Sequence, residues 1–188
     1  MAEMRQAPRH DWRRGWLGPF LVFLAMLLLT LWWLGVFNSP TVTEEMGVAR
    51  SYVYQPFQGS YRQMVKTREK MAKDAPADLR SHTEITLLER EQGSGGDTEV
   101  AARLGYLVNA GVPAPAGWQA GQWPAQRVAR VRVAANSALA SWKAYGALLA
   151  WGKARDLPLR YPVLELLGLG DHYELLMPVA LAVSAPAS

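Results

Sequence analysis

The amino-acid sequence predicts an α+β protein in which one N-terminal transmembrane helix precedes a tandem βαββ repeat. Residues 16–37 are apolar and carry no charge. The pattern strand, helix, strand, strand then occurs twice, over residues 47–110 and 126–181, on either side of a Pro- and Gly-rich linker at 111–125. Two such units are expected to join into one mainly antiparallel sheet with both helices on one face, leaving the other face and the seam between the units to form a concave site.

The apolar run at 16–37 predicts a membrane-spanning helix. At ~1.5 Å of rise per residue, a helix of this length covers the ~30 Å hydrocarbon core of a bilayer. Trp16 begins the run, and Trp32 and Trp33 lie near its far end, where amphipathic rings favour the headgroup levels. Pro19 falls in the first turn, where a missing backbone N–H is tolerated.

The charges on either side of this helix predict its direction. Residues 1–15 form a basic tail with four arginines, whereas the first basic residue after the helix is Arg50. The positive-inside rule therefore predicts a cytoplasmic tail, an uncleaved signal-anchor in the bacterial inner (plasma) membrane, and a periplasmic or extracytoplasmic C-terminal domain on a single-pass protein. A cleaved signal peptide is the alternative, although the run at 16–37 is longer than usual and no small-x-small site follows it. The bilayer explains the arginines without a nucleic-acid partner.

The first repeat begins with a β-branched and aromatic stretch at 41–54, which predicts a strand. Ser60 is placed to cap an amphipathic helix at 61–74, in which apolar residues recur at helical spacing. Alternating residues at 83–89 and a second apolar run at 99–108 predict a hairpin with a Gly-rich turn between its strands.

The second repeat follows the linker with a strand of alternating basic and apolar residues at 127–133. A strong helix is predicted at 138–155, and two further strands are predicted at 161–167 and 173–180. The C-terminal residues 182–188 are expected to be disordered. One face of the helix is expected to be shared by the following residues: Leu139, Trp142, Tyr145, Leu148, Leu149 and Gly152.

The composition narrows the range of possible chemistry. The chain has no cysteine, which excludes disulfides, thiol catalysis and thiolate metal sites. Its three histidines have no partner at metal-ligand spacing, and no nucleotide-binding or serine-hydrolase motif occurs. We therefore expect no metal and no cofactor, and we favour a non-enzymatic role, with a hydrolase left open as an alternative.

The residues at 47–61 resemble the strand, Gly-x-Tyr and helix opening of the GyrI-like small-molecule-binding domain, which is also the effector domain of multidrug-sensing regulators. Residues 139–151, 162–166 and 175–179 resemble the second half of that family, with a helix ending in Trp, a Pro-x-x-Glu strand and a final strand ending in Pro. The resemblance covers residues 42–181 and implies the fold of that family. A membrane anchor takes the place of the DNA-binding helices of the regulators.

This resemblance implies an aromatic-lined pocket at the pseudo-twofold seam, with Glu165 as its acidic residue. A carboxylate on an otherwise apolar strand is costly to bury unless something pairs with it, and a lipophilic cation could do so with help from aromatic faces. Trp142, Trp151, Tyr145 and Tyr173 are the candidate aromatic ligand-binding residues. In the simpler alternative Glu165 pairs with Arg or Lys or faces solvent, and these aromatic side chains belong to the core or its rim.

Two functions of different classes follow. The first is a membrane-anchored sensor or effector-type domain that binds an unknown amphipathic or cationic small molecule outside the cytoplasm. The alternative is a non-enzymatic scaffold or interaction subunit of a membrane complex, with a membrane-protein partner and a vestigial pocket. A binding domain should keep a hollow of several hundred Å³ that Glu165 faces, whereas a scaffold should fill that seam with its own side chains.

Overall fold

The structure is a computed structural model that divides the chain into two units, residues 1–37 and 38–188. Most of the predicted basic tail at 1–15 and all of the predicted disordered tail at 182–188 lie outside the described residues. The described residues are 12–33, 36–93, 98–134, 137–157, 160–167 and 172–179.

Helix α1 (Trp12–Trp33) begins and ends slightly earlier than the predicted run at 16–37. Its segment Trp16–Trp33 has a mean hydropathy of 1.9, and none of that segment is buried. By length and composition, this helix is able to cross a membrane.

The described part of the second unit contains an eight-stranded, antiparallel, curled sheet and two α-helices. The order of its strands is β1-β6-β8-β7-β3-β4-β2-β5. The strands are β1 (Thr41–Gly47), β2 (Arg50–Ser60), β3 (Glu84–Gln92), β4 (Glu99–Val108), β5 (Gln119–Trp123), β6 (Gln126–Val133), β7 (Val163–Leu167) and β8 (Tyr173–Pro178). The helices are α2 (Tyr61–Asp74) and α3 (Ser137–Lys153), with a short 3-10 turn at Leu79–Ser81.

Two features of the sheet differ from the sequence prediction. The single strand predicted at 41–54 is two strands, β1 and β2, which lie far apart in the sheet. The predicted linker at 111–125 contains β5, whose Trp123 is buried in the core. Gly121 lies so close to the Tyr52 ring that a Cβ there would be 2.5 Å from it, so this position requires glycine. Because glycine usually indicates a loop, its presence makes this strand look like part of the linker in the sequence.

Strands β3 and β7 pair at the centre of the sheet, where the two halves of the domain meet. On each side the order is similar: β3-β4-β2 with β5 outermost, and β7-β8-β6 with β1 outermost. The tandem sequence repeat itself stays a prediction.

Helix α2 forms where the sequence predicts it. Ser60 and Gln63 make a reciprocal capping box, with Gln63 N donating to Ser60 Oγ at 3.4 Å and Ser60 N donating to Gln63 Oε1 at 3.0 Å. Met64 and Met71 are buried against the sheet. The helix ends at Asp74, just before Pro76.

The predicted face of helix α3 is confirmed at Leu148 and Gly152, which are buried, but not at its exposed members. Its buried stripe contains Ala140, Ala144 and Leu148, whereas Trp142 and Leu149 are exposed. The small side chains of Ala140 and Ala144 allow the helix to lie close to the sheet. The larger Trp142 and Leu149 then lie on the side of the helix that faces solvent.

The sheet has a core on each face. Buried residues of both helices pack with Leu88, Val163 and Leu175 on one face, as predicted. The opposite face, predicted to be concave and open, is instead filled by a second cluster. This cluster contains Tyr52, Ile85, Leu87, Trp123, Val128, Leu164, Leu166 and Leu176.

Candidate functional site

A cavity of about 430 Å³ lies between α2 and α3, above the seam of β3 and β7. Glu165 of β7 is on its floor, and it is directly opposite Thr86 of β3 in the sheet register. The cavity is lined by Tyr61, Met64, Val65, Arg68, Glu69, Ala72, Glu84, Ser141, Glu165, Leu167 and Tyr173. The hollow expected of a binding domain is therefore present at the seam.

The carboxylate of Glu165 is almost completely buried, with 3% of the residue exposed. The Tyr145 hydroxyl donates a hydrogen bond of 2.8 Å to Glu165 Oε1, and Tyr173 is a second hydrogen-bonding neighbour. Among the described residues, no Lys, Arg or His side chain forms an ion pair with Glu165. The charge of this carboxylate thus has hydroxyl dipoles near it but no counter-ion in contact.

Burial raises the pKa of Glu165 above its ordinary value, because a low-dielectric site disfavours the charged form. The Tyr145 hydrogen bond, the charge of Arg68 and the Tyr173 hydrogen bond oppose this shift without cancelling it. Burial, and then the neighbouring Glu165 carboxylate, also raise the pKa of Tyr145 and of Tyr173. Both tyrosines therefore remain hydroxyl donors at neutral pH.

The nearest basic side chain in the cavity already has a partner. Arg68 Nε lies 2.8 Å from Glu84 Oε1, and both side chains are about one-fifth exposed. Arg68 acts on Glu165 through its charge and not through contact. This salt bridge leaves the Glu165 carboxylate without a cation in contact.

Thr86 adds an unusual polar group beside the site. Its hydroxyl is fully buried and has no hydrogen-bond partner among the described residues. Because residues that pair across antiparallel strands share a face, this hydroxyl and the Glu165 side chain lie on the same side of the sheet. Within the described part of the chain, no group of three or more His, Asp and Glu side chains is arranged to hold a metal ion.

Of the four aromatic residues that the sequence predicts around Glu165, the structure places two beside it and two away from the cavity. Tyr145 and Tyr173 contact Glu165. Trp151 is partly buried beside the helix-face core and stacks with Arg155, whose Cζ lies 4.5 Å from the ring centroid. Trp142 is 74% exposed. Neither tryptophan lines the cavity.

Sequence reasoning missed three residues that α2 and β3 contribute, namely Arg68, Glu84 and Thr86. One signal was present, because Arg68 occupies a position in the otherwise apolar stripe of α2. A charged residue at such a position is a candidate for a partly buried ion pair. Its partner Glu84 could not be chosen without the tertiary structure.

Comparison with known proteins finds no matching family model and no matching curated protein. Among solved structures, an integron cassette protein from the mobile metagenome of Vibrio cholerae is 6% identical, with a TM-score of 0.58 over 76% of this chain and 99% of that protein. SAV2435 bound to tetraphenylphosphonium is 13% identical, with a TM-score of 0.57 over 74% of this chain and 94% of that protein. EcmrR in complex with DNA is 12% identical, with a TM-score of 0.51 over 88% of this chain and 66% of that protein.

These similarities support the GyrI-like fold that the sequence resembles. At identities of 6% to 13%, they show the fold alone.

Proposed function

We propose that this chain is a membrane-anchored, sensor or effector-type domain that binds an amphipathic or cationic small molecule in the cavity between α2 and α3. Glu165 supplies the negative charge, Tyr145 and Tyr173 hold its carboxylate, and the apolar side chains of Met64 and Val65 contact the ligand.

The observation that carries this proposal is a buried carboxylate with no counter-ion in contact on the floor of an open cavity. Burying an isolated charge is strongly unfavourable, and such groups are normally paired or protonated. The Tyr145 hydroxyl donates to Glu165 Oε1, and burial raises the pKa of Glu165, because the charged carboxylate is disfavoured in a site with no cation in contact. A ligand cation would provide the missing opposite charge and favour the ionised form.

The charges around the cavity also favour a cation. Among the described lining residues, Glu69, Glu84 and an ionised Glu165 are balanced by Arg68 alone. The cavity volume of about 430 Å³ falls in the range of ~300 to 1,000 Å³ that is usual for small-molecule sites. The similar fold of SAV2435, which was solved with the lipophilic cation tetraphenylphosphonium, supports this class of ligand. The scaffold alternative predicts a filled seam, so the open cavity favours ligand binding over it.

Binding can be tested with tetraphenylphosphonium and the full chain in detergent, measured by equilibrium dialysis at pH 8. Glu165→Gln keeps the shape and an acceptor for Tyr145 but removes the charge. It should weaken binding by about tenfold or more, because about 1.4 kcal/mol of lost charge interaction corresponds to that factor. Glu99→Gln, at an exposed position at the start of β4, is the matched control and should bind as the unchanged protein does.

Cation binding should also weaken in acid. Below the raised pKa of Glu165, the ligand has to displace a proton, so the apparent affinity should fall towards about tenfold per pH unit. Equal affinity of Glu165→Gln and the unchanged protein at pH 8, or no pH dependence, would refute the role of this carboxylate.

The membrane part of the proposal has the basic tail in the cytoplasm, α1 across the inner (plasma) membrane, and the domain on the other side. The four arginines before the apolar run at 16–37 and the length of that run support it. A reporter that is active only outside the cytoplasm, fused after Ser188, should be active. Activity of a reporter that works only in the cytoplasm would reverse the proposed topology.

A further inference from the structure

Helix α3 has an apolar stripe on the side that faces away from the sheet. Trp142, Gly146 and Leu149 recur at helical spacing, and all three are exposed. Trp142 is 74% exposed and Leu149 is 54% exposed. Helix α3 contains no Asp or Glu, so no acidic side chain on it would repel an anionic surface.

This stripe lies beside the point where the chain enters the domain. Asn38 is the first residue of the second unit and directly follows the apolar run at 16–37. Lys143 Nζ donates a hydrogen bond of 2.7 Å to the main-chain oxygen of Asn38, and the Asn38 amide donates to the main-chain oxygen of Ala134. The start of the domain is thus attached to α3 at the residue next to Trp142.

Part of the cavity lining lies at this same end of the sheet. Glu84 is the first residue of β3, Leu167 is the last of β7 and Tyr173 is the first of β8. The antiparallel register brings these three positions into line with the start of β1, which follows Asn38 after two residues. The entry of the chain, the exposed tryptophan and the edge of the cavity formed by Glu84, Leu167 and Tyr173 therefore share one end of the domain.

We propose that this end of the domain docks on the lipid surface, with Trp142 inserted at the headgroup level and Leu149 less deeply placed. This inference rests on the membrane anchoring in the proposed function. If α1 spans the bilayer, Asn38 lies close to the lipid interface, where an exposed tryptophan is favoured. An amphipathic ligand concentrated in the lipid can then reach the cavity without crossing open water.

The absence of cysteine from the chain allows a direct test. Trp142→Cys and Leu149→Cys, each carrying one nitroxide spin label, are reconstituted as full chains into vesicles of phosphatidylcholine and phosphatidylglycerol. Glu99→Cys is the water-exposed control at the opposite end of the strands, and Leu28→Cys in α1 reports membrane insertion. Collision of each label with oxygen, which is concentrated in lipid, is compared with collision with a water-soluble nickel complex.

The expected result is more collision with oxygen than with nickel at positions 28 and 142, an intermediate ratio at 149, and more collision with nickel at 99. Oxygen access at 28 with nickel access at 142 overturns the docking proposal and leaves the anchor intact. Low access of both reagents at 142 also overturns it, because protein then covers the stripe, and spin–spin broadening would identify a second copy. Nickel access at 28 refutes the anchor and, with it, this inference.

Discussion

Replacing Glu165 by Gln should change how the stability of the domain depends on pH. Burial raises the pKa of Glu165 above its ordinary value of 4.5, against opposing contributions from Tyr145, Arg68 and Tyr173. Between pH 4.5 and the raised pKa, the folded chain keeps this proton while the unfolded chain releases it. The folded state then binds more protons than the unfolded state, so the contribution of Glu165 to stability declines as the pH rises.

The slope of the unfolding free energy with pH follows from the titration of this single proton. The free energy of unfolding should fall by about 1.4 kcal/mol for each pH unit between the unfolded and folded pKa values of Glu165, and it should level off above the folded value. Glu165→Gln retains an oxygen that can accept the Tyr145 hydrogen bond, but it cannot titrate. The variant should therefore gain stability relative to the unchanged protein as the pH rises, with the difference becoming constant above the folded pKa.

The measurement is urea unfolding of the full chain in detergent micelles, followed by near-ultraviolet circular dichroism from pH 4.5 to 8.5. The difference in unfolding free energy between Glu165→Gln and the unchanged protein cancels the titration of other groups. Glu99→Gln serves again as the control, and its difference should not depend on pH. A difference for Glu165→Gln that is also flat would refute the argument that burial dominates this carboxyl, and a difference of opposite slope would show that its charged form is stabilised in the fold.

Four further substitutions test the scaffold. Ser60→Ala should cost about 1 kcal/mol, because α2 loses half of its capping box; chemical denaturation would detect this, and no loss would contradict it. Burial alone would raise the pKa of Glu174, but two arginines of β6 outweigh burial and lower this pKa. Glu174→Gln should therefore cost about 1 to 3 kcal/mol of unfolding free energy at pH 7. The cost should become smaller as the pH falls through the lowered pKa. An equal cost at pH 3 and pH 7 would count against the ion pairs. Gly105→Ala should destabilise by about 1 to 3 kcal/mol or more, since its Cβ would lie 1.9 Å from a carbonyl oxygen of β2. Gly146→Ala, with open space around it, should instead stabilise α3 by about 0.5 to 1 kcal/mol. Chemical denaturation of both variants measures these changes.

The fold could largely be predicted from local patterns. The predicted helix α2 and its N-terminus at Ser60 are confirmed. This prediction succeeds because Ser60, Gln63 and the buried methionines lie within a few helical turns of each other in the sequence. Strand β5 could not be found in the same way, because its formation depends on Gly121 lying against the Tyr52 ring, a contact between residues far apart in the chain. Likewise, the burial of Ala140 and the exposure of Trp142 reflect how close α3 lies to the sheet, which spacing alone does not fix.

The candidate site likewise contains one residue that its own segment indicates and others that only the tertiary structure identifies. Glu165 was identified as a carboxylate on an apolar strand, and its burial with Tyr145 as hydrogen-bond donor is present in the structure. Arg68, Glu84 and Thr86 come from segments that pair with it only after the sheet closes at β3 and β7. No pattern within one segment indicates which charges will meet across that seam.

By itself the sequence determined the properties that depend on neighbouring residues: an apolar helix long enough to span a membrane, the α+β class, and an acidic residue in an apolar strand. The tertiary structure decided which groups surround that acid, that the opposite face of the sheet is filled, and that Trp142 is at the surface near the entry of the chain. The physical reason is distance along the chain. Hydrophobic periodicity and capping act over a few residues, whereas the burial of Glu165 and the charge balance of its cavity depend on strands and helices that meet only in the folded domain.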